Sequence, residues 1–323
     1  MDPLPSNFTA DNIKLVVTDV DGTLLGPDHQ LSDRTARVLN ALPSHVRFML
    51  ATGKTKWSTR DIYKRVDRLQ DNPSIFLNGL FVVHPDGTPV FQTTLSPKIV
   101  LEMLDYSTSG ADRFVILYCG ERIVGSSFNW VQHLADLTQL YHEPICEKIE
   151  HEDLKKMIQD TSLAVHKMIF LTEKDSGVEV VRQDLRQRFE GTEMSGAYDS
   201  VQAVPQMLEI VPMGTSKAVA LENICRELNL SPDQAIAFGD GENDITMLKL
   251  AGCSVAVGNA KPFVKSVAKY VGKSNGEDGL ADVLSRIFSI NPTNPFRTRK
   301  LFVPRCFDAL YENYIRLNGR NVL

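Results

Sequence analysis

Apolar residues fall into short, β-branched runs separated by polar stretches with helix-forming composition. Ile13-Lys14-Leu15-Val16-Val17 predicts a buried strand, which runs into Thr18-Asp19-Val20-Asp21-Gly22-Thr23. Ser32 is placed to cap a helix over residues 32–42, with Pro43 beyond its stop. Residues 46–51 predict a second strand ending at Thr52-Gly53, and a helix-prone stretch follows to Gln70. Ser74-Ile75-Phe76-Leu77 predicts a third strand ending at Asn78-Gly79. Strand alternating with helix predicts a parallel sheet covered by helices.

From Leu80 the pattern changes. Phe81-Val82-Val83 and Val90-Phe91-Gln92 flank His84-Pro85-Asp86-Gly87, which predicts a hairpin. Ser96-Pro97 opens a helix. Further strands are predicted at 114–118, 122–124, 167–171, 201–204 and 207–211, with a helix over 176–189. After Pro212 the first pattern returns. A helix capped by Thr215 or Ser216 runs to Leu228, a strand 235–238 ends at Gly239-Asp240, a helix covers 243–250, and a strand covers 254–257. The economical organisation is an α/β core in two parts, 1–79 and 213–289, split by an inserted α+β domain over 80–212. Residues 290–323 form a C-terminal extension with a linker (Asn291 to Pro295), a basic stretch (Arg297 to Lys300) and a helix near 308–317.

Four polar clusters stand where strands end or a helix begins: Asp19 with Asp21, Thr52, Lys217, and Asp240 with Asn243 and Asp244. Ligands of open α/β sheets bind at the carboxyl ends of the strands, so these groups converge on one edge. Several carboxylates on one patch repel one another unless a cation neutralises them. Oxygen donors without histidine or cysteine point to a hard ion, Mg²⁺. With a lysine and a hydroxyl, the set is a receptor for a phosphoryl group. No serine or cysteine is paired with a base, which leaves a carboxylate as nucleophile and a second one as acid and base. Two other phosphate motifs are excluded. Gly53-Lys54-Thr55 lacks the glycine of a P-loop, since Phe48 stands there, and Asp244 stands where a dinucleotide fingerprint needs its third glycine.

The chain's 323 residues fit about two domains. Its 35 basic and 40 acidic residues give a net charge of −5, which supplies no field for nucleic acid or an anionic membrane. No apolar run approaches the ~18 residues of a membrane span. The start resembles no secretory signal, and the five cysteines form no pairs, so a cytoplasmic location with reduced thiols is expected, the nucleus remaining open. The scattered histidines are assigned to no metal. Trp57 and Trp130 read as packing residues, with Trp130 in the insert and within possible reach of a substrate.

Together, the strand followed by DVDGT (Asp19 to Thr23), Thr52-Gly53, Lys217 within Gly214-Thr215-Ser216-Lys217, and GDGEND (Gly239 to Asp244) resemble the four motifs of the haloacid dehalogenase-like (HAD) phosphatases. Their order, Asn78-Gly79 and the large insert are similar to the Cof-type sugar-phosphatase branch, over about residues 13–288. The resemblance implies a Rossmann-like parallel-sheet core with an inserted α+β cap. It implies a Mg²⁺-dependent phosphatase acting on a small phosphorylated metabolite, a sugar phosphate above all, through an aspartyl-phosphate. Asp19 would be nucleophile and metal ligand. Asp21 would be the general acid/base, its carbonyl reaching the metal. Thr52, Gly53, Lys217, Asn243 and Val20 would bind the substrate, Asn243 contacting the phosphate or Lys217. Lys217 would also steady Asp19 and charge on the phosphoryl, while Asp240 and Asp244 would complete the metal site. A phosphomutase-like transferase and a non-catalytic metabolite-binding regulator are the alternatives. Two departures from the branch, Lys54 for arginine and Ala218 for glycine, bear on substrate contacts rather than on the core chemistry.

Overall fold

In the computed structural model, which describes residues 3–109, 113–126, 138–139, 142–172, 175–204, 206–291 and 293, the apolar runs become fourteen strands. The first part of the chain holds β1 (Leu15–Thr18), β2 (Arg47–Leu50), β3 (Ser74–Phe76), β4 (Phe81–Val83) and β5 (Pro89–Gln92). The middle holds β6 (Phe114–Cys119), β7 (Arg122–Gly125), β8 (Glu147–Lys148), β9 (Lys167–Leu171), β10 (Tyr198–Val204) and β11 (Met207–Pro212). The last part holds β12 (Ala235–Gly239), β13 (Cys253–Ala256) and β14 (Tyr270–Val271). Trp130, His133, the stretch 297–300 and the expected helix 308–317 lie outside the described residues.

The first and last parts build one parallel sheet in the order β14-β13-β12-β1-β2. Strands β1, β12 and β13 are buried throughout, which is why they read as continuous apolar runs rather than alternating ones. The period of two still decides which face each residue serves. Val16, Phe48, Leu50, Ile236 and Phe238 pack with Val38, Leu39, Val283 and Leu284 of helices Asp33–Asn40 and Gly279–Phe288. Leu15, Val17, Met49, Ala235 and Ala237 pack with Leu221, Ile224, Met247 and Leu248 of helices Lys217–Glu227 and Ile245–Leu250. Thr18 is level with Leu50 on one side and Phe238 on the other, so the loops after β1, β2 and β12 leave the sheet side by side.

Two expectations change in detail. Residues 57–70 form three short helical turns rather than one helix. Extended backbone at Val66 interrupts them, and the Asp67 amide donates to the Asn40 side chain at 2.7 Å. The third strand, β3, meets the parallel sheet only through the bridge Ala51–Ile75, and its ladder partner is the antiparallel β4, which pairs in turn with β5. The cause is the turn Leu77-Asn78-Gly79, where φ angles of 51°, 58° and 103° reverse the chain. Val82, with Val90 and Phe91, thus packs in the cluster beneath helix Lys217–Glu227.

The middle strands form a second sheet, β10-β11-β9-β6-β7-β8, antiparallel except between β7 and β8. One face (Val115, Leu117, Met168, Phe170, Leu208, Ile210) is covered by helices Pro97–Thr108, His151–Gln159 and Asp175–Phe189. The other (Ile116, Tyr118, Ile169, Leu171, Met207) packs in the cluster that contains Leu80 and Phe81. No described helix is long and apolar enough to cross a membrane.

His166 ties the two parts together. Its Nδ1 accepts from the Gly120 amide at 3.0 Å, which leaves the proton on Nε2, 3.0 Å from Gln92 Oε1. Burial lowers this imidazole to about 4. A histidine held neutral stabilises the fold fully above its unfolded value of 6.5, and the contribution disappears as pH falls toward 4. Wild type is expected to lose about 3 kcal/mol more than His166→Gln over that interval, measured by urea unfolding at both ends.

Candidate active site

The loops that leave the parallel sheet together carry the acidic groups. Asp19 follows β1, with its amide donating to the Phe238 carbonyl at 3.0 Å, and Asp240 follows β12. Thr23 Oγ1 donates to Asp240 Oδ1 at 2.7 Å and stitches one loop to the other. Gly22 permits the approach: its φ is +78°, and a Cβ there would lie 2.5 Å from Asp240 Oδ2. Asp244 turns back into its own loop, where Oδ2 accepts from the amides of Asp240 and Gly241, both at 3.0 Å.

Lys217 enters from the first turn of its helix, behind the Ser216 cap, and is completely buried. Its ammonium donates to Asp19 Oδ1 at 2.5 Å and to Asp244 Oδ1 at 2.7 Å. The start of that helix is set by the turn at Asn78-Gly79, because a Cβ on Gly79 would lie 2.4 Å from the Ser216 carbonyl oxygen. Gly79→Ala is therefore expected to cost about 2 kcal/mol or more from strain and clash, read as a lower urea midpoint, and to reduce activity by displacing Lys217.

Asp19, Asp240 and Asp244 each offer an oxygen within 4.8 Å of the others. Burial pushes Asp19 up to about 8, with the Lys217 ammonium pulling it down and Asp244 and Asp240 pushing it further up. Burial raises Asp240 as well. Burial would strip the proton from Lys217, but Asp19 and Asp244 outweigh it and keep the ammonium charged. With all three carboxylates ionised, one ammonium would leave an excess of negative charge in a buried place, and the raised Asp19 and Asp240 carboxyls express that excess. An all-oxygen donor set with that excess fits a hard dication such as Mg²⁺.

The other expected residues surround this cluster with different degrees of contact. Thr52 is buried. Its amide donates to Ile75 and its carbonyl accepts from Asn78, while Oγ1 accepts from the Lys54 amide at 3.2 Å and keeps its own proton to donate. Gly53 lies beside the Asn78 side chain. The Val20 side chain is fully buried and its carbonyl accepts from the amides of the following turn, so the side chain is not available to a substrate. The Asn243 side-chain amide donates to Asn78 Oδ1 at 3.0 Å, and the Lys217 ammonium donates to Asp19 and Asp244 instead of to Asn243. The Asp21 carboxylate is not among the three clustered ones. Lys54 Nζ is 3.3 Å from Oδ2, His29 Nδ1 is 3.5 Å from Oδ1, and that Oδ1 is buried with no hydrogen-bond partner. Sequence reasoning missed the structural work of Thr23 and Asn78, although both lie inside the motifs. A concavity of about 480 Å³ between helix Asp175–Phe189 and β10 shares no residue with this cluster.

Comparison with known proteins gives a consistent result. The family model for haloacid dehalogenase-like hydrolases matches residues 16–284. A chloroplastic protein of Arabidopsis thaliana named endoribonuclease YBEY is 32% identical over 280 residues, 84% of this chain, but the chain spans only 46% of that protein. The 5-amino-6-(5-phospho-D-ribitylamino)uracil phosphatase YitU of Bacillus subtilis is 29% identical over 286 residues, covering 85% of this chain and 98% of that one. Among solved structures, TM0651 from Thermotoga maritima superposes with a TM-score of 0.73 at 22% identity, covering 85% of this chain and 97% of that one, a likeness of fold.

Proposed function

This chain belongs to the haloacid dehalogenase-like hydrolase family, and from that premise we propose that it is a Mg²⁺-dependent phosphatase of small phosphorylated metabolites, sugar phosphates in the first place. The observation that carries the reading is the Lys217 ammonium bonded to both Asp19 and Asp244, with Asp240 in the same cluster. Residues separated by most of the chain form one buried anionic site with a deficit of positive charge, which suits a cation and a phosphoryl group together.

In this reading Asp19 attacks phosphorus and forms an aspartyl-phosphate as the bond to the leaving oxygen breaks. Lys217 holds Asp19 in line and offsets charge on the phosphoryl oxygens. Thr52 Oγ1 and the Gly53 amide donate to those oxygens. Asp21 stands apart from the cluster, and its carboxyl group gives a proton to the leaving group and later takes one from water. Asp19, Asp240 and Asp244, with the Asp21 carbonyl, would hold Mg²⁺, which supplies Lewis-acid neutralisation of the phosphoryl charge when bound. The six-stranded sheet and its helices act as the cap that covers the substrate. The relative YitU is named for a ribityl phosphate substrate, and that polyol monoester belongs in the substrate panel beside the hexose and pentose phosphates.

The test is release of inorganic phosphate from that panel by purified protein. Turnover is expected with Mg²⁺, loss to background with a chelator, and recovery on adding Mg²⁺ back. Release that is unaffected by chelation, or no release from any monoester, would contradict the reading.

A further inference from the structure

Two carboxylates of the middle segment reach the turn that follows Thr52 and Gly53. Glu143 is buried, and its Oε2 accepts from Thr55 Oγ1 and Ser58 Oγ, each at 2.8 Å. The two hydroxyls are also 2.8 Å from each other, so the three oxygens lie in mutual contact, and with one proton on each hydroxyl both bonds can go to the carboxylate. Beside it, Glu121 Oε2 accepts from the Trp57 amide at 3.0 Å. Burial raises the Glu143 carboxyl, while the two hydroxyls and the ammonium groups of Lys167 and Lys54 pull the other way. A buried carboxylate is an expensive way to fill space, and an apolar side chain of similar volume would be cheaper. What the carboxylate adds is directional: it fixes two hydroxyls of one turn at once.

That turn carries chemistry at its other end. The Lys54 amide is bonded to Thr52 Oγ1, and the Lys54 ammonium lies 3.3 Å from Asp21 Oδ2. The position of residues 54–58 therefore sets where the Thr52 hydroxyl points and what the Asp21 carboxylate faces. We propose that Glu143 is a positioning residue for phosphoryl transfer. It grips the turn from the middle segment and keeps Thr52 and Lys54 aligned on Asp19 and Asp21, so that the site is complete only while that segment is seated. This rests on the phosphatase reading for its chemical consequence, though not for the grip itself. Sequence reasoning had no access to it, because Glu143 is far from every motif and Thr55 and Ser58 read as ordinary turn residues.

The experiment compares wild type, Glu143→Ala and Glu143→Gln in full-length protein with Mg²⁺, using p-nitrophenyl phosphate as substrate. Hydrogen exchange of the 54–58 amides is the second readout. Misalignment by a fraction of an ångström to one ångström is expected to lower kcat of Glu143→Ala by about tenfold or more, with KM moving less than about threefold. Exchange at 54–58 should accelerate about tenfold while β1 stays protected. Gln keeps an acceptor oxygen for both hydroxyls and should restore kcat and exchange to within about threefold of wild type. A folded Glu143→Ala with wild-type kcat and unchanged exchange overturns the proposal, as does a Gln variant no better than Ala. If Glu143→Ala does not fold, Thr55→Val with Ser58→Ala removes the same bonds from the other side and is read identically. Should wild type release no phosphate, the functional reading falls, whereas the exchange comparison still decides whether Glu143 holds the turn.

Discussion

Asp19→Asn is expected to lower phosphate release by about 10³-fold or more while leaving the protein as stable as wild type. The amide has the shape of the carboxylate, and its oxygen still accepts from the Lys217 ammonium, but it is far too weak a nucleophile to attack phosphorus. Stability should not suffer, because burial disfavours the charged form of Asp19, and removing that charge relieves part of the crowding with Asp244 and Asp240. Activity on the best monoester and the urea midpoint, measured on the same preparation, separate the two effects. Activity within tenfold of wild type would end the case for Asp19 as nucleophile. A large loss of stability would instead mean that Asp19 is mainly the counter-charge of Lys217.

Lys217→Met should show the opposite combination, with both activity and stability lost. The ammonium is wholly buried and is bonded to two carboxylates, so its removal leaves Asp19 and Asp244 facing each other without compensation. Breaking a buried pair from one side costs about 3–5 kcal/mol, which should appear as a lower urea midpoint with an unchanged slope. Loss of charge stabilisation at the phosphoryl should lower kcat by about 10²-fold or more. The stability deficit has a definite pH dependence. Protonated carboxylates need no counter-charge, so the gap between variant and wild type should narrow as pH falls and widen as it rises. A variant as stable as wild type at high pH would show that Asp19 and Asp244 do not depend on the Lys217 charge.

Much of this molecule is written in local sequence. The strands after which Asp19, Thr52 and Asp240 emerge are apolar runs ending in polar residues, and a parallel sheet brings such ends together whatever the order of its strands. The Ser216 cap and the Ser32 cap are visible for the same reason: a side chain and an amide three residues on satisfy each other. The pairing of β3 with β4 was not legible, because an apolar run does not declare its partner, and left-handed backbone at Leu77 and Asn78 is unusual enough that sequence gives little warning of it. The turns of 57–70 were hidden because polar helix formers do not reveal where the backbone breaks. Asn243 shows a further limit. Its motif predicts a contact with phosphate or Lys217, whereas its amide reaches Asn78, a residue the motif does not contain.

The close approach of Gly79 to the Ser216 carbonyl means that the chain departs from the parallel sheet and returns to it at nearly one point. An excursion anchored in this way adds little closure entropy as it grows, because that cost rises only with the logarithm of length. The intervening segment is therefore open to replacement in protein engineering. A graft between residues 93 and 212 that keeps the anchor and supplies its own grip on the 54–58 turn should leave the spacing of the carboxylates intact while exchanging what is admitted above them.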